Sequence, residues 1–171
     1  MTIPYAVRSL RTSLLALFII GSLTTACKKS GGVDDVDPRD QYVGVYEGNS
    51  RRTLYVSADI FQGPIPGAAT TTITKASNPK EIYIENTVVF NGGFSGGYTT
   101  RVTAELDGVN FTVIDKSSDE ITLPSGKVTS DYTATGLFDL STKQFVYTSR
   151  ARALRNGAEY SRTDEVFSTM K

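Results

Sequence analysis

Two kinds of apolar pattern divide the chain. Leu14 to Ile20 is one unbroken apolar run, carried on by Gly21-Ser22-Leu23. From Tyr42 onward, apolar and polar residues alternate over short stretches punctuated by Gly, Pro, Asn and Asp. Alternation with a period of two marks a strand with one buried face, and no 11-residue window carries a sustained helical stripe. The runs predict about eight strands: 44–57, 70–76, 81–90, 99–106, 109–115, 121–124 with 127–138, 144–154 and 158–169.

Three hairpins can be set in register. Asp107-Gly108 suits a type I′ turn, both residues tolerating positive φ; it pairs Leu106 with Val109, Ala104 with Phe111 and Val102 with Val113. Asn156-Gly157 is a second such turn, pairing Ala153 with Tyr160, Ala151 with Arg162, Ser149 with Asp164 and Tyr147 with Val166. A turn around Leu140-Ser141-Thr142-Lys143 pairs Phe138 with Phe145, Gly136 with Tyr147, Ala134 with Ser149 and Tyr132 with Ala151. The last three strands thus share an inner face that is aromatic in one half and small in the other, the small half leaving room for a cavity.

Composition supports the strands. From Cys27 on there are 18 Thr and 13 Val against 6 Leu and 9 Ala, and β-branched residues fit a pleated surface. Sequential strands joined by tight turns predict an all-β antiparallel meander of about eight strands closing into a barrel, which removes exposed edges. The alternative is a β-sandwich, whose Greek-key crossovers need long connections, and few are visible. Gln62-Gly63-Pro64-Ile65-Pro66-Gly67 reads as a loop, with Phe61 and Ile65 able to lid an opening. Asn91-Gly92-Gly93-Phe94-Ser95-Gly96-Gly97 reads as a rim loop; it lacks the Lys-Ser/Thr and the helix of a phosphate loop.

Charge and rare residues narrow the chemistry. With 18 Lys+Arg against 18 Asp+Glu there is no basic field for nucleic acid. The chain has no His and one Cys, so a Ser-His-Asp or Cys-His site, an internal disulfide and a Cys-rich metal site are all ruled out. Asp34, Asp35, Asp37 and Asp40 lack the closing Glu and turn Gly of a calcium loop. The adjacent carboxylates Asp119-Glu120 and Asp164-Glu165 point to opposite faces of a strand, so neither pair acts together as acid and base. An activated Lys75 or Tyr160 is the remaining catalytic option. The expectation is a protein without catalytic residues, metal or cofactor. Arg51-Arg52 and Arg150, Arg152 and Arg155 are expected on a solvated outer face.

The N-terminus carries an address. Arg8 and Arg11 precede the apolar run, which is too short to span a bilayer and right for a signal segment. Leu23, then Thr24-Thr25-Ala26, then Cys27 resembles the lipobox of bacterial lipoproteins. That resemblance implies a signal peptide over 1–26 and a Cys27 that carries a diacylglyceryl thioether and an acylated amine. Two or more acyl chains, at ~0.8 kcal/mol per buried CH₂, hold a protein stably on a membrane. Cleavage leaves 145 residues with 16 basic and 18 acidic groups, so the lipid does the anchoring. Residues 27–41 are then the lipidated Cys and a flexible tether, and 42–171 the barrel domain. The expected location is the cell envelope, lipid-anchored on the outer membrane at either face, as a monomer.

The stretch Tyr42-Val43-Gly44-Val45-Tyr46-Glu47-Gly48 resembles the start of small lipocalin-like lipoprotein domains. Lipocalins open with Gly-x-Trp, and an Arg from the last strand packs over that ring. The resemblance implies that Tyr46 stands for the Trp and Arg162 closes the barrel against it; the Asn156-Gly157 register puts Asp164 on the same face, as the carboxylate partner. It also implies a small, partly apolar ligand in the barrel mouth, and Tyr132, Ala134, Tyr147, Ala151 and Tyr160 are the candidate lining. The alternative function is an envelope accessory protein that meets glycan or protein through its outer face and loops.

Overall fold

The computed structural model describes residues 36–56, 60–91, 96–123 and 126–171. Cys27 and the expected signal segment lie outside the described residues, as does most of the Gly-rich stretch. The described residues form β1 (Gly44–Val56), β2 (Ile60–Lys75), β3 (Glu81–Phe90), β4 (Gly97–Asp107), β5 (Asn110–Val113), β6 (Ser118–Leu123), β7 (Gly126–Asp139), β8 (Gln144–Arg155) and β9 (Ala158–Met170). Every pairing is antiparallel. The sheet runs β5-β4-β3-β2-β1-β9-β8-β7-β6, and β5 also pairs with β7. That extra ladder closes eight strands into a barrel and leaves β6 as a flap on β7. The sandwich alternative is not formed.

Closure is uneven, and the site follows from this. β5 pairs with β7 only through Asn110–Thr112 and Thr135–Leu137. β6 takes the same edge of β7 nearer its start, at Gly126–Asp131. β5 reaches β4 only from Ala104 to Asp107. The first half of β4 therefore has no strand on its outer edge among the described residues, and a seam opens between it and β6.

Two of the three sequence registers are found at every named pair. Ala153↔Tyr160 through Tyr147↔Val166, and Phe138↔Phe145 through Tyr132↔Ala151, are the observed partners. Asn156 and Gly157 both have positive φ, 52° and 78°, as a type I′ turn requires. The Asp107-Gly108 register differs. Leu106 pairs with Phe111 and Ala104 with Val113, so the turn centres on Gly108-Val109. Gly108 alone takes positive φ there, at 59°, which fits the Gly-first II′ turn. The slip is two residues, so each side chain keeps its expected face.

The Gln62–Gly67 stretch is strand, not a loop. It belongs to β2 and pairs with β1, but β3 joins β2 only from Gly67 onward. Pro64 and Pro66 thus sit at the end of that ladder, where Pro66 only accepts, from the Asn91 N–H at 2.9 Å, and no donor is needed from either ring. The register shifts between Arg52 and Leu54, where Gly63 and Pro64 of β2 stand opposite the single Thr53 of β1, so the bulge is on β2.

One end of the barrel is a closed aromatic core. Tyr46, Phe111, Phe138, Phe145 and Tyr147 are each 2% exposed or less. Phe111 and Phe145 stack 5.5 Å apart with 4° between planes. Gly136 is required beneath Phe111: a Cβ there would stand 2.2 Å from the ring and 2.2 Å from the Val146 carbonyl. The ring over Gly136 is therefore that of Phe111. A smaller cluster of Ile121, Leu123, Ala151 and Ala153, with Leu54, Val128 and Tyr160 against it, holds the β6 flap at the other end.

The domain starts before Tyr42. Pro38–Gln41 is a short 3₁₀ helix capped by Asp37. Arg39 is buried and donates to the carbonyls of Ala76 (2.8 Å), Asn78 (2.7 Å) and Glu81 (3.1 Å). Asp37 accepts from Arg39, which holds its carboxyl well below the usual range, and Lys75 sits 2.5 Å from Asp40 and 3.2 Å from Asp37. The compact unit begins at Asp37 rather than at the expected 42, because buried Arg39 ties the 3₁₀ turn to the carbonyls of the β2–β3 connection. Lys75 is stabilised as a cation by the two carboxylates, not activated as a base.

Candidate functional site

A chamber of about 280 Å³ lies inside the seam end. β1 brings Arg52, β3 Asn86, β4 Tyr98, β6 Asp119, β7 Tyr132 and β9 Arg162 and Asp164; Lys116 comes from the β5–β6 connection. Thr99 and Thr100 of the unpaired half of β4 complete the rim, where Thr99 is exposed.

Its centre is a layer of buried ions. Asp164, 4% exposed, accepts from Arg52 Nε at 2.5 Å, Arg52 Nη2 at 3.2 Å and Arg162 Nε at 3.0 Å. Arg162 spends its other nitrogens on the Asp119 carboxylate and the Glu120 carbonyl, the latter at 2.9 Å. Burial disfavours the Arg162 charge, but Asp164 and Asp119 outweigh it and raise its pKa. Burial likewise pushes Asp119 up; the Glu120 N–H and Arg162 outweigh it and hold the carboxyl below its ordinary value. A buried ion layer is tolerable only when each charge is paired and hydrogen-bonded in this way.

Aromatic rings frame the ions. The Arg52 guanidinium lies over the rings of Phe90 (4.7 Å) and Tyr98 (4.6 Å). Lys116 Nζ stands 4.4 Å over Tyr132 and 3.2 Å from Asp119. The Tyr132 and Tyr147 hydroxyls hydrogen-bond each other. Asn86 is 1% exposed; its Oδ1 accepts from Thr71 at 2.6 Å, and its Nδ2 has no partner among the described residues.

The expected site residues divide. Tyr132 and Tyr147 line the chamber. Ala134 is packed into the aromatic core, and Ala151 and Tyr160 belong to the flap cluster. The small residues are covered by neighbours, so the open space lies among charges and hydroxyls instead. Arg162 points inward and binds Asp164 as expected, but not against Tyr46. Tyr46 pairs with Met170 and Arg162 with Leu54, at opposite ends of the β1–β9 ladder. Tyr46 packs on Phe138 and Phe145 and donates to the Tyr42 carbonyl at 2.8 Å. The cation over rings is Arg52.

Arg52, Lys116, Asp119, Asn86 and Tyr98 were not legible as a site. Arg51-Arg52 reads as a surface pair, yet only Arg51 is outside, bound to Glu165 at 2.6 Å. Counting alternate residues from buried Tyr46 through Ser50 would have turned Arg52 inward. The carboxylate pairs do split across faces, as expected. What spacing could not show is that the inner members, Asp119 and Asp164, meet on one guanidinium. Among the described residues no group of three or more His, Cys, Asp or Glu stands in a metal-holding arrangement.

Four phenols resist ionisation. Burial raises Tyr147, Tyr98 and Tyr132, with Tyr132 adding to the effect at Tyr147 and Asp164 at Tyr98; at Tyr132 the Tyr147 and Ser149 hydroxyls oppose it. Burial also raises Tyr46, to about 12. The unfolded chain ionises first, near pH ~10, so this stability is complete below that value and is lost as pH rises through the folded values. In an alkaline titration these rings are expected to form tyrosinate only as the circular dichroism of the sheet disappears. Ionisation of these four tyrosines at the ordinary phenol value, with the sheet intact, would contradict this burial.

A scan against protein-family models finds no match, and no curated protein is similar to the chain.

Proposed function

We propose that the chain is a lipid-anchored, lipocalin-like binding protein of the bacterial cell envelope that holds a small molecule in the seam chamber without transforming it. The observation that carries the reading is a chamber with a paired ion layer and a buried amide, Asn86, left without a partner. Buried polar groups in proteins are almost always satisfied, so an orphan amide on a residue that lines a cavity is a natural ligand contact. The lining favours a polar ligand over the partly apolar one that the barrel alone suggests. Binding without catalysis agrees with the ionisation states. Asp119 is held as a carboxylate and the chamber phenols as neutral groups, so neither is poised to exchange a proton near neutrality. The outer-face alternative is weaker because Arg52 is withdrawn from the surface.

Native mass spectrometry of the full chain, extracted from membranes in detergent, tests the reading. It is expected to show a small-molecule adduct in addition to the acyl chains. A spectrum with acyl chains alone, across gentle to moderate activation, would contradict it. Anchoring is expected to depend on Cys27, the one thiol in the sequence. Cys27→Ser should move the protein from the membrane pellet to the soluble fraction, and retention after a high-salt wash would remove the lipid-anchor proposal.

A further inference from the structure

We infer that the ligand of the chamber carries a carboxylate or phosphate group, seated among Asn86, Arg52 and Lys116; this rests on the binding reading above. The charged groups of the chamber are unevenly used. On Asp164, both oxygens are taken by Arg52 and Arg162. On Asp119, Oδ2 is taken by Arg162 and Lys116, and Oδ1 accepts from the Glu120 N–H. The chamber's two carboxylates are thus engaged by the protein's own donors.

Donors are left over. Asn86 Nδ2 has no partner, and Arg52 Nη1 meets no acceptor among the described residues. Lys116 Nζ has one carboxylate contact for three protons. Charge tilts the same way, with Arg52, Arg162 and Lys116 facing Asp119 and Asp164, an excess of one positive charge. A neutral hydroxyl could be met by the Tyr98, Ser149 or Thr100 oxygens, but it would leave the excess charge uncompensated. An anion brings acceptors only, cancels the excess charge, and gains charge-assisted bonds of roughly twice the neutral strength. At about 280 Å³ the chamber is at the small end of ligand pockets, which run from about 300 to 1,000 Å³. The ligand is therefore a small acid or phosphate ester rather than a fatty acid.

Thermal unfolding of the full chain in detergent tests this, in sodium acetate, sodium phosphate and sodium chloride at matched ionic strength. Binding to the folded state raises the melting temperature with ligand concentration. Acetate or phosphate is expected to raise it above chloride, and whichever acts names the group. Phosphate also stabilises proteins by exclusion from their surface, so Lys116→Met is the control. In that variant the apparent Kd for the active anion should weaken about tenfold, which is ~1.4 kcal/mol, while Lys116→Arg should retain the response. No anion effect, or an equal effect in Lys116→Met, would overturn the inference. If the anions fail and a neutral adduct is seen by native mass spectrometry, the anion assignment falls and the binding chamber stands. If both are absent, both fall.

Discussion

Asp164→Ala is expected to destabilise the barrel by about 3–5 kcal/mol, the cost of leaving a buried ion partner uncompensated. Asp164 is the carboxylate shared by Arg52 and Arg162, whose side chains are 21% and 15% exposed. Removing it leaves two guanidinium groups with Asp119 as the remaining nearby counter-ion. Arg162 keeps Asp119 and the Glu120 carbonyl; Arg52 keeps two aromatic faces. Two cations in one small chamber also repel each other. The variant should lower the urea midpoint with little change in slope, the signature of lost stability in an unchanged fold. Glu165→Ala is the matching control, since Glu165 pairs with Arg51 on the exposed outer face, where ion pairs contribute little. Equal midpoints for the two variants would contradict the inward ion layer.

Phe111→Ala is expected to cost about 3–5 kcal/mol as well, by a different mechanism. Phe111 is 2% exposed and meets Phe138, Phe145 and Tyr147 at 5.4, 5.5 and 6.3 Å between centroids. Truncation removes the ring and leaves a cavity that a closed barrel end cannot collapse to fill. It also uncovers Gly136, where the β5–β7 ladder shuts the barrel. Because that ladder spans only a few residues, amide exchange in β5 should accelerate more than in β8 or β9. A loss below about 1 kcal/mol, the ordinary effect of a point substitution, would mean that β5 is not the closing strand.

The parts of the fold carried by local rules were legible in the sequence. Asn156-Gly157 and the Leu140–Lys143 turn each fixed a register, and with it the inward set Tyr132, Ala134, Phe138, Phe145, Tyr147 and Ser149. Where local rules compete, reading was harder. Gly63, Pro64 and Pro66 signal a loop, but in β2 they stand at the end of the ladder with β3, where no donor is needed from either proline ring. The 3₁₀ helix at Pro38–Gln41 reads as tether because Arg39 and its carbonyl partners are far apart in sequence. The site was least legible. Tyr132, Tyr147, Arg162 and Asp164 stood out through the hairpin register. Arg52, Asn86, Lys116 and Asp119 come from β1, β3, the β5–β6 connection and β6, and only the closed barrel brings them together. The partnering of Arg162 was misassigned because a resemblance placed Tyr46 beside it, whereas the ladder sets them eight residues apart along β9.

A crystal structure of the protein isolated from its native cells is the most direct test of the chamber as a binding site. The account predicts density for a small molecule bridging Asn86 Nδ2 and Lys116 Nζ, with Arg52 and Arg162 still held by Asp164. A chamber closed by its own side chains, with the Asn86 amide bonded to protein, would contradict it.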